Sequence, residues 1–196
     1  MDDVTLCLAA SAAYYVTPTF SAACDINIVL TTVDNTIIVA FRGTEPTSLD
    51  DWLRDFDALP IDTLKIGICH EGFLTGAEAV LDFLLAQLRG KQFVVTGHSL
   101  GGALAIAATA LLVVNGVIPL KLTTFGAPNV GIADTLEKIL APVEGSRYRN
   151  GNDPVPLVPF WPFVSDRPQV QIGEPLLDPI ADHMLDKYLV SLEDLK

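Results

Sequence analysis

Basic residues are scarce in this chain. Its 196 residues include 12 Lys and Arg against 24 Asp and Glu, a formal net charge of −12 at pH 7. The basic residues do not cluster into a run. Because nucleic acids are bound through their phosphates by basic surfaces, we expect no nucleic-acid partner.

A long hydrophobic run is also lacking. The longest apolar stretch without a charged residue, 100–114, is shorter than the roughly 20 residues that a membrane-spanning helix needs. We therefore expect no transmembrane segment, and the stretch predicts a buried helix that ends at Asn115-Gly116. Residues 1–3, Met-Asp-Asp, lack the positive charge that opens a secretory signal. This predicts a cytoplasmic protein or a secreted form that has already been trimmed.

Cysteines number only three, Cys7, Cys24 and Cys69. They cannot all pair with one another, and their spacing matches no zinc site. Buried thiols are favoured, and a single Cys7–Cys24 disulfide is the alternative.

Apolar runs and helical patterns alternate along the chain. The turn Asp34-Asn35 between two β-branched runs predicts a hairpin, and the later alternation is typical of parallel βαβ units. The predicted strands are 27–32, 36–41, 92–96, 120–125 and 146–149, and the predicted helices are 6–13, 73–88, 100–114 and 131–140. The proline-rich segment 153–168 excludes a helix or a central strand and predicts an ordered loop. We expect one α/β domain over residues 1–196.

The run Gly97-His98-Ser99-Leu100-Gly101 lies between the predicted strand 92–96 and the predicted helix 100–114. A serine in a sharp strand-to-helix turn is a nucleophile elbow, which presents the hydroxyl at the helix N-terminus. Glycines two residues before and after the serine remove Cβ atoms that would collide in this turn. The pattern predicts that Ser99 is the nucleophile of a hydrolase.

A serine nucleophile needs a histidine base, and the chain offers three histidines. His98 adjoins Ser99 and is expected to point away as a structural residue of the turn. His70 precedes the elbow, whereas the base follows it in proteins with such a turn. His183 is therefore the predicted base.

The acid that orients the base is expected between the nucleophile and the base along the chain. Asp153 follows the predicted strand 146–149 and a turn, and Pro154 keeps its backbone extended. We predict that Asp153 is the acid, with Asp178 as the alternative.

Attack on an ester creates negative charge on the carbonyl oxygen, which N–H donors must stabilise. The residue after the nucleophile supplies one donor, the backbone N–H of Leu100. The second is expected after an early strand, where Phe41-Arg42-Gly43-Thr44 ends the run 36–41. Thr44 is the predicted second donor.

Several short motifs occur in one order along residues 5 to 195. They are Phe41-Arg42-Gly43-Thr44, His70-Glu71-Gly72-Phe73, the elbow from Gly97 to Gly102, Phe125-Gly126-Ala127-Pro128, Asn152-Asp153-Pro154-Val155-Pro156 and Asp182-His183. In this order they resemble the lipase class 3 family of α/β-hydrolases. The resemblance implies an α/β-hydrolase fold, a mostly parallel central sheet with helices on both faces, and hydrolysis of acylglycerol-type esters. It also implies the same roles for Ser99, Asp153, His183, Thr44 and Leu100.

The resemblance places a lid after the oxyanion strand. Here Ser48 can cap a short helix whose apolar side chains share one face. A mobile lid that touches a lipid interface through residues 48–57 is one interpretation, and a fixed helix packed on the core is the other. The predicted substrate-binding residues are Trp52, Phe56, His70, Phe160 and Trp161.

The predicted function is a serine carboxylic-ester hydrolase, a lipase or esterase, that needs no metal or organic cofactor. Phospholipase A1 activity or hydrolysis of polar, feruloyl-type esters is the alternative within the same chemistry. A hydrolase-fold binding module without turnover is the alternative outside it. One departure from the family pattern is Asn129, which stands where the family usually has arginine before Val-Gly.

Overall fold

The computed structural model describes residues 1–22, 25–43, 59–63, 66–132 and 134–195. Two sheets and a set of helices account for the regular structure of these residues. The strands are β1 Phe20–Ala22, β2 Ile26–Val33, β3 Thr36–Phe41, β4 Pro60–Thr63, β5 Gly67–His70, β6 Phe93–His98, β7 Lys121–Phe125, β8 Gly131–Ile132, β9 Arg147–Asn150, β10 Phe163–Val164 and β11 Gln169–Ile172. The helices are α1 Asp3–Ala12, α2 Glu71–Leu88, α3 Leu100–Val114, α4 Thr135–Leu140, α5 Pro179–His183 and α6 Leu185–Glu193.

The larger sheet contains seven strands in the order β1-β2-β3-β6-β7-β9-β11. Pairs β1–β2 and β2–β3 are antiparallel, and every pair from β3 to β11 is parallel. The predicted hairpin is confirmed at β2–β3, where Asp34 and Asn35 have φ angles of +47° and +63°. The mostly parallel sheet predicted from the alternating pattern is therefore present.

Both faces of this sheet are covered by helices. Helices α2, α3 and α4 share one buried apolar cluster with strand residues such as Val39 and Val95. Helices α1 and α6 share another with Ile38 and Val94, the adjacent residues of the same strands. Successive strand residues point to opposite faces, so the central strands are buried on both sides. Helix α3, apolar all round, is buried along nearly its whole length.

A smaller antiparallel sheet, β10-β8-β5-β4, was not predicted. The helix predicted over 131–140 is wrong at its N-terminal end. It begins at Thr135, because Gly131 pairs with Cys69 and Val164 in this sheet. The expectation of no helix within 153–168 is wrong for one 3-10 turn, Val155–Leu157. Prolines fit there because the first turn of a helix needs few N–H donors.

Cys7 and Cys69 are buried free thiols. Burial raises the pKa of Cys7 to about 12 and that of Cys69 to about 11. Cys24, the other half of the alternative disulfide, lies outside the described residues. In the described part of the chain, no helix has both the length and the apolar character needed to cross a membrane.

The carboxyl ends of the parallel strands meet at one edge of the larger sheet. Gly43 follows β3, Ser99 follows β6, Gly126 follows β7 and Asp153 lies beyond β9. Parallel sheets bind ligands at this edge because loops from several strands converge there.

Candidate active site

Ser99 occupies a strained turn between β6 and α3. Its φ and ψ angles are +57° and −131°, outside the conformations that residues with a side chain usually adopt. The turn is fixed by the Ser99 N–H, which donates to the Phe125 carbonyl oxygen of β7 at 3.0 Å. The Ser99 Oγ atom is buried and has no hydrogen-bond partner among the described residues. Ser99 therefore has the elbow conformation predicted from the sequence.

The two glycines of the elbow allow close backbone packing. A Cβ on Gly97 would lie 2.5 Å from the carbonyl carbon of Gly101. A Cβ on Gly101 would lie 2.8 Å from the carbonyl carbon of Arg42, next to the end of β3. The start of α3 thus packs against the segment that leads to Thr44, which lies outside the described residues. Leu100 is the first residue of α3, where backbone N–H groups have no acceptor within the helix.

His183 and Asp153 form a buried pair beside the elbow. His183 Nδ1 lies 2.8 Å from Asp153 Oδ2, and both side chains are at most 2% exposed. The carboxylate accepts, so Nδ1 carries the proton and Nε2 is left as the basic nitrogen. His183 Nε2 has no partner among the described residues.

The Asp153 carboxylate is held by two further donors. The Val155 backbone N–H donates to Oδ1 at 2.9 Å, and the Tyr188 hydroxyl donates to Oδ2 at 2.5 Å. Burial and the nearby Asp153 raise the pKa of Tyr188 well above 10, so the hydroxyl stays protonated. Sequence reasoning missed Tyr188, although the spacing of Leu185, Tyr188 and Leu192 marks the inward face of α6.

The alternative acid, Asp178, lies elsewhere. It is exposed and caps α5, where its Oδ1 accepts the Ile180 N–H at 3.0 Å. Asp182 is buried, and its Oδ2 accepts the N–H groups of Asn152 at 2.8 Å and Leu176 at 3.1 Å. Of these acids, Asp153 is the one whose carboxylate is bonded to the His183 ring.

Gly126 packs directly against the histidine–aspartate pair. A Cβ at this position would lie 2.9 Å from Asp153 Oδ2 and 2.9 Å from His183 Cε1, and the φ angle is +60°. Glycine is therefore required for two reasons, the left-handed backbone and the space.

Arg147 joins the loops behind the site. Its guanidinium donates to the carbonyl oxygens of Ala127 at 2.6 Å and Pro156 at 3.1 Å, and to Asn129 Oδ1 at 3.2 Å. Burial lowers the pKa of Arg147, and the buried Asp166, 3.9 Å away, opposes this. Asn129, the departure from the family pattern, is thus part of the bonding that holds these loops.

The predicted substrate-binding residues fall into two groups. His70 is buried and stacks on Phe73 at a ring-centroid distance of 4.2 Å, whereas Phe160 and Trp161 are 74% and 88% exposed. Trp52, Phe56 and the rest of segment 48–57 lie outside the described residues. The exposure of Phe160 and Trp161 shows that neither ring packs in the core. Within the described ranges, no group of three or more His, Cys, Asp or Glu side chains is arranged so that it could bind a metal ion.

The fold is that of the α/β-hydrolases. A Rhizomucor miehei lipase, solved as a propeptide complex, superposes with a TM-score of 0.68 and 26% identity over 79% of this chain and 54% of that one. A second solved structure, described as a triacylglycerol lipase whose catalytic centre is formed by a serine protease triad, superposes with a TM-score of 0.66. It is 25% identical over 79% of this chain and 64% of that one.

The chain belongs to the class 3 lipase family, whose model matches residues 38–163, more than half of its length. It is 35% identical over 134 residues to secreted mono- and diacylglycerol lipase 1 of Fusarium solani, covering 63% of this chain and 39% of that protein. The chain spans less than half the length of the first curated relatives that it matches.

Proposed function

We propose that this chain is a serine carboxylic-ester hydrolase of the lipase type, acting on acylglycerol-type esters through an acyl-enzyme on Ser99. The observation that carries the proposal is the buried hydrogen bond of 2.8 Å between His183 and Asp153, next to the strained elbow. The names of the Fusarium relative and of the solved triacylglycerol lipase support the same chemistry and the same substrate class.

In the proposed reaction, the Ser99 oxygen attacks the ester carbonyl carbon while its proton moves to His183 Nε2. The tetrahedral intermediate collapses, and the alcohol leaves with that proton. Water then attacks the acyl-enzyme carbonyl carbon and gives a proton to the same nitrogen. The second tetrahedral intermediate collapses, the carboxylic acid leaves, and the Ser99 oxygen takes the proton back from Nε2. Asp153 remains ionised throughout and stabilises the imidazolium through Nδ1–H.

The intermediate's oxyanion is assigned to the backbone N–H of Leu100 and to Thr44. Leu100 has the required location at the start of α3, directly after the nucleophile. Each donor of this kind is worth about 2.7–4 kcal/mol in the transition state. Thr44 follows Gly43, which lies just beyond the end of β3, and this position supports the assignment.

For the acyl chain we propose contacts with the exposed rings of Phe160 and Trp161, with His70, and with Trp52 and Phe56. Aromatic rings with such exposure offer apolar area that a lipid chain can cover. We also propose that residues 48–57 form a lid that makes a transient contact with a lipid interface.

Labelling with a fluorophosphonate tests the nucleophile. We expect stoichiometric labelling at Ser99, and Ser99→Ala should abolish labelling and lower kcat by about 10⁶-fold. Ser21→Ala, at an exposed serine on β1, is the matched control and should behave like the wild type. A folded wild-type protein that takes up no label would instead favour a binding module.

An ester panel tests the substrate class. Triacylglycerol, phospholipid and feruloyl esters are compared, each with and without a lipid interface. The proposal expects the acylglycerol to be the best substrate. A preference for phospholipid or for feruloyl esters would favour the corresponding alternative.

A further inference from the structure

His98, the residue before Ser99, makes hydrogen bonds with both ring nitrogens. Its Nε2 lies 2.8 Å from the backbone carbonyl oxygen of His183, and its Nδ1 lies 2.9 Å from the Tyr14 hydroxyl. A carbonyl oxygen can only accept, so Nε2 carries the proton, Nδ1 accepts and the Tyr14 hydroxyl donates. One neutral tautomer satisfies both bonds. Burial and the neighbouring His183 lower the pKa of His98 well below 6.5, which is consistent with a neutral ring.

The Tyr14 hydroxyl also lies next to Gly43, just beyond the end of strand β3. Burial raises the pKa of Tyr14, and the backbone amide of Gly43 opposes this. There is no room for a side chain at Gly43, because a Cβ there would clash with the Tyr14 hydroxyl and lie 2.6 Å from the His98 carbonyl oxygen. Tyr14 thus connects the segment before Thr44 to the ring of His98.

These contacts fix the base in a way that the Asp153 hydrogen bond alone does not. Asp153 holds the His183 ring at Nδ1, and the Asn150 side chain donates to the Asp182 carbonyl oxygen, but neither bond is made to the main chain of His183. The His98 hydrogen bond holds the main chain at His183 itself. Because His98 is bonded covalently to Ser99, this contact links the main chain of the base directly to the nucleophile. The two histidine rings lie 4.5 Å apart, centroid to centroid.

We propose that Tyr14 and His98 are positioning residues that hold His183 and the end of β3 in place around Ser99. The inference rests on the proposed function, because that function gives His183 the role of base and Thr44 the role of oxyanion donor. Neither side chain touches the reacting atoms. Their effect is on the alignment of Ser99, the base and the oxyanion donors.

Four variants test this proposal with p-nitrophenyl butyrate as substrate. His98→Leu removes both hydrogen bonds, and Tyr14→Phe removes the hydroxyl while keeping the ring. His98→Gln keeps one N–H donor and one acceptor and is the conservative rescue. Tyr15→Phe is the matched control, because Tyr15 is the adjacent tyrosine and is 85% exposed. For each protein we would measure kcat, KM, the rate of fluorophosphonate labelling and the melting temperature.

We expect kcat and the labelling rate to fall about 10- to 100-fold in His98→Leu and about 3- to 10-fold in Tyr14→Phe, with KM unchanged, as for a misaligned catalytic group. His98→Gln should recover most of the loss, and Tyr15→Phe should match the wild type. If His98→Leu does not fold, the other two variants still test the proposal. A lower kcat in Tyr14→Phe with a nearly wild-type kcat in His98→Gln would support it, and a wild-type kcat in Tyr14→Phe would overturn it.

Wild-type kcat in folded Tyr14→Phe and His98→Leu would overturn the proposal. So would a loss that His98→Gln does not recover, or one that appears in KM instead of kcat. Failure of the proposed function looks different, because the wild-type protein itself would then neither hydrolyse the ester nor take up the label.

Discussion

Replacing Gly126 with alanine is expected to damage the proposed site more than it damages the fold. The new Cβ would lie 2.9 Å from Asp153 Oδ2, 2.9 Å from His183 Cε1 and 3.0 Å from His183 Nδ1. Ordinary contacts of a Cβ begin at 3.4 Å. In a close-packed interior the carboxylate and the ring would therefore have to move by about 0.5 Å.

This displacement is comparable with the tolerance of a catalytic group. Productive geometry has to be held within about 0.5 Å, and a misplacement of about 1 Å can cost about 100-fold in rate. We expect Gly126→Ala to lower kcat on p-nitrophenyl butyrate by about 10- to 100-fold. Steady-state kinetics with active-site titration would measure the change.

Gly116 provides the matched control. Its φ angle is +75°, close to the +60° of Gly126, but a Cβ there would meet nothing within 4 Å. Alanine costs about 1–2 kcal/mol in either left-handed position. At this chain length such a cost lowers the melting temperature by roughly 2–8 °C. Gly116→Ala should show this loss of stability and keep the wild-type kcat.

Comparing the two variants separates the effect of backbone strain from the effect of displacing the Asp153–His183 pair. If Gly126→Ala kept the wild-type kcat while losing as much stability as Gly116→Ala, the argument from contact with the Asp153–His183 pair would be refuted. Equal losses of kcat in both variants would refute it too, because the loss would then follow from backbone strain at any position.

Two further predictions concern the buried polar side chains around the pair. Tyr188→Phe removes a charge-assisted hydrogen bond of 2.5 Å to Asp153, so urea unfolding should show a loss of about 1.5–3 kcal/mol, and an unchanged value would contradict this role. Because the pKa of His98 is lowered well below 6.5 in the folded state, the unfolded chain binds the extra proton, and the free energy of unfolding falls as the pH decreases below 6.5. His98→Gln should reduce that slope by up to about 1.4 kcal/mol per pH unit between pH 6 and 5, and an equal slope in both proteins would exclude a neutral buried ring.

The elbow could be predicted from the sequence because its signal is local. Gly97, Ser99 and Gly101 lie within five residues, between an apolar run and a helical run that both form as predicted. The pairing of His183 with Asp153 is also present, although the two lie 30 residues apart. The order of nucleophile, acid and base along the chain predicts this pairing, whereas no local pattern around residue 153 specifies its partner.

The small sheet and the positioning contacts could not be predicted in this way. Strands β8 and β10 are two residues long, too short to show an alternating pattern. Their pairing depends on contacts with distant residues, which override the helical periodicity of 131–140. Likewise, Tyr14 and His98 are separated by 84 residues, and the sequence around each of them does not indicate that the two side chains are in contact.

The segments that carry the proposed acid and base have little regular structure of their own, so their geometry depends on side chains outside the proposed triad. Asn150, the last residue of β9, donates to the Asp182 carbonyl oxygen at 3.0 Å and accepts the Ser191 hydroxyl at 2.6 Å. Asp182 in turn binds the N–H of Asn152, one residue before Asp153. These bonds tie the turn after β9, helix α5 and helix α6 to a strand that is buried in the sheet. Rigid support of this kind explains how a short loop and a five-residue helix can keep Asp153 and His183 at hydrogen-bonding distance. We therefore expect a chain with the same three proposed catalytic residues but without Asn150 and Asp182 to hold Asp153 and His183 less rigidly.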